Sequence, residues 1–580
     1  MKMRGADAVA QTLKARGVEV VFGMCGHGNL AMLDALIDSG IRFISVHHEQ
    51  VAVHAADAYF RVTGHPGVVL TTLGPGALNT TTALGDAALD ASAVLVISGD
   101  VPSRFSGLGP YQEIDMHASA DQVAISRPLT KRSYRVADPA ALPYVVGRAW
   151  HEAVTGSPGP VHVHVPLDFF TAQSDYAIST PGPLFRPSLS QAAAESVMER
   201  LNTAERPVIY AGGGVVSGDA SGALCEFAEV TGIPVATSMV AQGAISESHP
   251  LSIGFSGVVG TRPANSAISN ADVVLAIGTR FPEMDTSSWR PAQFLDTARC
   301  DLIHIDIDPI QLGRLYKTKI AAVSDAREAL LQLTRVAKEC RHTARPSYLS
   351  EIQDARTAWA QEMAVTQEDD SWPAQPPHVL KMLRAALPDD AILVSGVGVR
   401  HMVGQHFPVL RPRTMLVASG FSTMGWEMGA TLGAAVGAHD VPVVGVIGDG
   451  AFNSTVTALS TAVAYGVPAV WVLLNNQGYQ SIAVYQDRHY GRRIGTDFER
   501  VDGTPYDIDY VSLARAYGAD GERVTNFNEL QIALQRGMTH GGNYLIEVPT
   551  AHRGKALASG QWDVNAIAAG DTSLLPAPLG

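Results

Sequence analysis

Val443-Val444-Gly445-Val446-Ile447 runs straight into Gly448-Asp449-Gly450-Ala451-Phe452, and a second apolar run, Ala469 to Leu474, runs into Asn475-Asn476-Gln477-Gly478. Each pair reads as a buried parallel strand followed by a turn at its carboxyl end. That edge is where open α/β sheets bind ligands, with backbone N–H groups and helix N-termini turned toward an anion. An Asp and an Asn there can complete an oxygen shell around Mg²⁺, which also takes oxygens from a diphosphate. Taken alone, Asp449 reads as a helix N-cap and Asn475-Asn476 as an ordinary turn. The pairing, with 24 residues between Gly450 and Asn475 and a strand before each half, favours the metal–diphosphate reading.

The same alternation extends outward through the chain. Apolar runs at Val18–Phe22, Ile41–Val46, Val68–Thr71, Ala93–Ile97 and Val161–Val165 alternate with helical patterns, and a second set runs from Pro207 through Val273–Ile277 to Asp306. A third occupies Ile392 to Val548, and polar, Pro-rich stretches near Thr171–Gln191 and Arg335–Pro377 separate the three. The expected fold is therefore α/β, with three doubly wound parallel-sheet domains. Their expected spans are 1–180, 190–340 and 375–555, with a C-terminal arm over 556–580.

Composition narrows the partners. The chain has 580 residues, 46% hydrophobic and 17% charged, and carries a formal net charge of −14. That balance excludes nucleic acid or an anionic membrane as the main partner, because both demand a basic footprint. Four scattered cysteines form no CxxC pair, and no signal-like or membrane-spanning run is present, so a cytoplasmic protein is expected.

With the turns at Asp449 and Asn476 in place, the chain resembles the thiamine diphosphate enzyme superfamily, in particular its acetolactate synthase-like branch, over nearly its whole length. The resemblance implies a pyrimidine-binding, a central and a diphosphate-binding domain in that order. It implies that Asp449, the Asn476 side chain and the Gly478 carbonyl ligate magnesium, and that Gly448, Gly450 and Ala451 line the diphosphate. The segment after strand Ile41–Val46, His47-His48-Glu49-Gln50, leads into a helix. On its own Glu49 reads as a helix-dipole residue; in the superfamily its counterpart contacts N1′ of the aminopyrimidine, so that the ring's own nitrogen base deprotonates the thiazolium. Met424, with Ser422 in the same loop, matches the apolar wedge that bends the cofactor, though a lone Met reads as core packing. Gly74, Pro75 and Asn79, in Leu73 to Asn79, resemble the loop that approaches the thiazolium.

Substrate-facing positions follow from the same resemblance. The resemblance implies that Gln112 donates to a developing oxyanion and Lys131 attracts the substrate carboxylate, whereas taken alone each reads equally as a solvated surface polar group. Where the chain departs from that pattern, His27, in Gly23-Met24-Cys25-Gly26-His27-Gly28-Asn29, reads either as a proton relay near C2 or as a satisfied loop histidine. This loop departs from the GYPGG of acetolactate synthases and is similar to that of a cyclic-diketone hydrolase in the superfamily. Gly257–Thr261 and Ala276–Phe281 resemble segments that touch FAD in flavin-containing relatives, but flavin-free relatives carry similar strings, so FAD stays open. The implied activity is decarboxylation of a small 2-oxo acid such as pyruvate, with ligation to a second carbonyl acceptor. A diketone C–C hydrolase or a simple decarboxylase are the alternatives with the same cofactor chemistry; a binding or regulatory subunit that keeps the fold but has lost catalysis and a flavin-dependent oxidase are the rivals from other classes. A homodimer or homotetramer is expected, because Glu49 and Asp449 belong to different domains and, in the resembling family, to different subunits.

Overall fold

The computed structural model describes residues 2–114, 121–340, 342–551 and 562. Three parallel sheets of six strands appear in chain order. The first contains β1 (Val20–Gly23), β2 (Arg42–Ser45), β3 (Gly67–Thr71), β4 (Val94–Asp100), β5 (Arg132–Arg135) and β6 (Val161–Pro166), in the order β2-β1-β3-β4-β6-β5. The second contains β7 (Pro207–Ala211), β8 (Val235–Thr237), β9 (Ser252–Phe255), β10 (Val273–Ile277), β11 (Asp301–Asp306) and β12 (Ile320–Val323), ordered β9-β8-β7-β10-β11-β12. The third contains β13 (Ile392–Ser395), β14 (Met415–Val417), β15 (Val443–Gly448), β16 (Val470–Asn475), β17 (Asp520–Arg523) and β18 (Tyr544–Pro549), ordered β14-β13-β15-β16-β18-β17. The expected fold class holds. Central strands such as β4 and β16 are buried along their full length, which is why they read as unbroken apolar runs rather than as alternation.

The first and third sheets are joined by two helices, α1 (Glu49–Thr63) and, after α2 (Thr81–Leu89), α3 (Trp426–Gly437). Val51 and His54 pack on Gly429, Ala55 on Gly433, and Tyr59 and Thr63 on Gly437, so the helices run parallel with a glycine at each turn of contact. A Cβ at Gly433 would fall 1.9 Å from the Ala55 carbonyl oxygen, so only a bare backbone permits this approach. One hydrophobic core runs across the joint, from Val20, Phe22 and Val96 through Val51, Ala55, Met428 and Leu432 to Ile447, Trp471 and Leu545. The N-termini of both helices consequently lie at the same end of the pair. The central sheet has separate clusters on its two faces.

Candidate active site

At the carboxyl edge of the third sheet, β15 delivers Asp449 as the first residue of α4 (Asp449–Thr455). The Asp449 side chain is 1% exposed; its Oδ1 accepts the Gly450 N–H at 2.8 Å, and its Oδ2 accepts the N–H groups of Asn476 at 3.1 Å and Gly478 at 3.2 Å. The two turns therefore close on each other. Burial pushes the Asp449 carboxyl up to about 6, against the pull of these amides. The two asparagines divide their work. Asn475 faces inward, donating to Glu547 Oε1 at 2.8 Å and accepting the Gln477 N–H at 3.1 Å, whereas Asn476 Oδ1 is buried with no partner among the described residues. A carboxylate beside an orphaned amide oxygen is the donor set of a hard divalent cation.

Around this turn the backbone is bare where an anion needs room. A side chain at Gly448 would meet open space, while the Tyr479 ring covers Gly450, whose Cβ would lie 2.5 Å from it. Ala451 is buried in the first turn of α4. Loop 417–424, after β14, carries Ser422 with φ of 61° and is held by Arg400, which donates to Ala418 O and Ser422 Oγ. Met424 is 43% exposed, so its reading as plain core packing does not hold within one chain.

At the carboxyl edge of the first sheet, Glu49 opens α1 and is only 5% exposed, and Asn79 Nδ2 donates to its Oε2 at 2.9 Å. A Cβ on Gly76 would lie 3.1 Å from Glu49 Oε1, so the Gly74-Pro75-Gly76 turn wraps the carboxyl closely. Gly74 has φ of 55°, and its N–H donates to Gln122 Oε1 at 3.0 Å while Gln122 Nε2 donates to Gly99 O at 2.9 Å. Gln122 went unnoticed in the sequence; its signal is a polar residue buried inside an otherwise apolar helical stretch. Gln112, with φ of 68°, stacks its backbone on Gly74 and leaves Oε1 buried without a partner among the described residues. His27 lies on the same edge. Its loop is pinned by buried Asn29, which accepts from Gly26 N and donates to Met24 O, both at 2.9 Å, and by Gly28 N donating to Thr72 Oγ1. The exposed His27 ring stands 5.5 Å from that of Tyr111.

Lys131 is not brought to this edge. It precedes β5, at the opposite edge of the sheet, and its Nζ donates to the carbonyls of Glu152, Thr155 and Ser157 at 2.6, 2.7 and 2.8 Å. These are the unsatisfied oxygens at the end of helix Leu142–Val154 and just beyond it, so Lys131 caps that helix rather than facing substrate. The expected arm over 556–580 lies outside the described residues except for Trp562. Its indole donates to Glu283 Oε1 at 3.1 Å and stands edge-on to Tyr485, on α5 (Gln480–Tyr490).

Among the described residues, no hydrogen bond or ion pair joins Glu49 to the Asp449–Asn476 turn within one chain. One other cluster, Cys225, Glu229 and His249, has metal-ligand types within 4.8 Å of one another. There His249 Nδ1 accepts the Leu251 N–H at 3.1 Å, which leaves the ring proton on Nε2, facing Glu229 at 3.3 Å as a donor. No helix among the described residues is long and apolar enough to cross a membrane.

Comparison with known proteins agrees with this architecture. The chain matches the N-terminal TPP binding domain of thiamine pyrophosphate enzymes over residues 3–124, their central domain over 194–333, and their C-terminal TPP binding domain over 396–548. It is 36% identical to the acetolactate synthase large subunit of Corynebacterium glutamicum, across 92% of this chain and 84% of that one. It is 32% identical to a probable acetolactate synthase large subunit of Methanocaldococcus jannaschii, across 94% and 92%, and 32% identical to the isozyme 3 large subunit of Escherichia coli, across 92% of each. The chain thus belongs to the thiamine pyrophosphate enzyme family, within its acetolactate synthase-like branch.

Proposed function

We propose that the protein decarboxylates a small 2-oxo acid, pyruvate being the reference substrate, and joins the remaining acyl carbon to a second carbonyl compound. The observation that carries this reading is the closure of Asp449 on Asn476 and Gly478, with the buried Asn476 oxygen left unpaired. That arrangement fits Mg²⁺ bound by Asp449, Asn476 and the Gly478 carbonyl, with Gly448, Gly450 and Ala451 giving a diphosphate backbone access. When bound, thiamine diphosphate supplies a nucleophilic carbon and an electron sink. The chain's part is to hold that group and manage one proton. Glu49, oriented by Asn79, shares a proton with a ring nitrogen; Ser422 and Met424 shape the floor of the cleft; Gly74 and Pro75 let backbone approach closely; Gln112 and His27 face the substrate side.

Glu49 and Asp449 meet, in this reading, across two copies of the chain. Tyr111 at 78% exposure, Ile482 at 53% and Met424 at 43% are apolar groups on the very segments that carry site residues, as expected of surfaces that a second copy covers. A nucleotide cofactor such as FAD is proposed for a separate place. The central strand order reverses between β7 and β10, and glycines of the turns after them, Gly213, Gly214 and Gly278, line a cavity of about 530 Å³ that also takes in Arg280, Asp306 and Asp325. A crevice at a switch point with an acid ending β11 has the form of a nucleotide site.

The deciding experiment incubates purified protein with thiamine diphosphate, Mg²⁺ and 2-oxo acids, alone and paired with aldehydes, while following CO₂ release and identifying products by mass spectrometry. CO₂ release with a ligated product is expected. The His27 loop favours diketone hydrolysis as the second reading, and in a parallel incubation with a cyclic diketone, ring opening beside no CO₂ release from the 2-oxo acids would replace the first with it.

A further inference from the structure

Loop 417–424 belongs to the third domain, yet it is held from the first. Asp90, which ends α2, accepts the Ser419 N–H at 3.0 Å and the Gly420 N–H at 2.9 Å, and Asp86, one turn earlier, accepts the Thr423 N–H at 3.2 Å. Both acids are fully or almost fully buried and each has a second partner. Asp86 Oδ2 pairs with His54 Nε2 at 3.1 Å, and Asp90 Oδ2 with Arg61 at 3.0 Å. Arg61 also donates to the Val417 carbonyl at 2.7 Å. Steric fit adds to this. The Phe421 ring lies where a Cβ on Gly85 would be, 2.9 Å away, and a Cβ on Gly420 would fall 2.4 Å from Leu89 Cβ. From the central domain, Arg280 donates to the end carbonyls of α2, Ala88 O and Leu89 O, which keeps the helix from sliding.

Three amides of one short loop therefore find their acceptors on a single helix of another domain, and the loop ends in Met424. A buried carboxylate that accepts several backbone amides is among the stronger anchors a protein can build. The other end of α2 adjoins Asn79, which orients Glu49. We propose that Asp86 and Asp90 are positioning residues. They set, from the N-terminal domain, how far Met424 stands into the cleft and hence how strongly the bound cofactor is bent. This rests on the reading of Met424 as the support beneath thiamine diphosphate.

The test compares the full-length wild type with Asp86→Ala, Asp86→Asn, Gly85→Ala and Met424→Ala. Asn keeps an oxygen for Thr423, so it is the conservative rescue. Gly85→Ala removes no polar group and displaces Phe421 instead. In the cofactor-free protein, amide hydrogen exchange of the 417–424 peptide should quicken about tenfold in Asp86→Ala and in Gly85→Ala, and stay near wild type in Asp86→Asn. With thiamine diphosphate and Mg²⁺ bound, deuterium exchange at the cofactor's C2 should slow by roughly tenfold to a hundredfold in the first two, while the cofactor Kd moves less than about threefold. Wild-type C2 exchange in Gly85→Ala and in folded Asp86→Ala, alongside slow exchange in Met424→Ala, overturns the proposal alone. Unchanged exchange in Met424→Ala, or a wild type that binds no thiamine diphosphate, overturns the underlying reading and the proposal with it.

Discussion

The first and third sheets share one strand order, and they place different chemistry at matching positions along their carboxyl edges. After the third strand of each comes a glycine-flanked turn, Gly74-Pro75-Gly76 in one and Gly448-Asp449-Gly450 in the other. The glycines serve the same end, letting backbone come close. The middle residue decides what approaches: Pro75 offers no N–H and no charge, Asp449 offers a carboxylate. After the second strand come α1 and α3, each with a buried glutamate in its first turn. Glu49 is satisfied by Asn79, whereas Glu427 Oε2 is buried without a partner and burial pushes its carboxyl up to about 7. Equal architecture thus leaves one glutamate poised at a cleft and the other sealed at a domain joint.

Exchanging the two acids for amides breaks the comparison most sharply. Glu49→Gln should cost about a hundredfold to ten-thousandfold in turnover with the fold intact, measured by steady-state CO₂ release beside circular dichroism. Glu427→Gln should keep turnover within an order of magnitude, roughly, because its carboxyl faces no reacting atom. The asparagine pair divides in the same way. Asn476→Ala should weaken Mg²⁺-dependent cofactor binding by about tenfold to a hundredfold in a fluorescence titration, by analogy with the loss of a group that supports a metal. Asn475→Ala should instead lower stability by about 1–3 kcal/mol, because Glu547 loses its buried donor.

The pH dependence of stability gives a finer test. The Glu427 carboxyl titrates near 4.5 when unfolded and near 7 when folded, so between those values the folded chain holds a proton that the unfolded chain has lost. Glu427 should therefore cost the wild type about 3 kcal/mol of stability as pH rises through that window, a loss that Glu427→Gln is spared while the other buried carboxyls act on both proteins alike. Urea melts of both proteins at pH 5 and pH 8 read the difference; parallel curves would sink the assignment. Smallest of all, Lys131→Met should lower stability by about 0.3–1 kcal/mol through loss of a helix-end cation and leave CO₂ release within about twofold.

Much of this was legible in advance because it is local. A strand ending in Gly448-Asp449-Gly450 and another ending in Asn475-Asn476 announce themselves through apolar runs and turn residues that need no partner elsewhere. Glu49 was visible for the same reason, at a strand-to-helix turn. What stayed hidden depends on contacts distant in sequence. Nothing near Lys131 reveals that three carbonyls beyond residue 151 will surround its ammonium group. Nothing near Asp90 reveals that its carboxyl will meet amides at 419 and 420. The asparagine doublet stood between these cases: the pair was readable, but which of the two spends its side chain on Glu547 is decided by β18, far downstream.

The bare-backbone contact between α1 and α3 carries a thermal consequence. Because Ala55 and Gly433 touch without any side chain between them, and a single apolar core continues through the joint, neither outer domain can open without exposing the other. Calorimetry should find the two ends of the polypeptide melting in one shared transition, with the middle third, whose two main cores are its own, held to them by the smaller Met239, Phe255 and Val417 cluster and a few hydrogen bonds and so the first part to loosen.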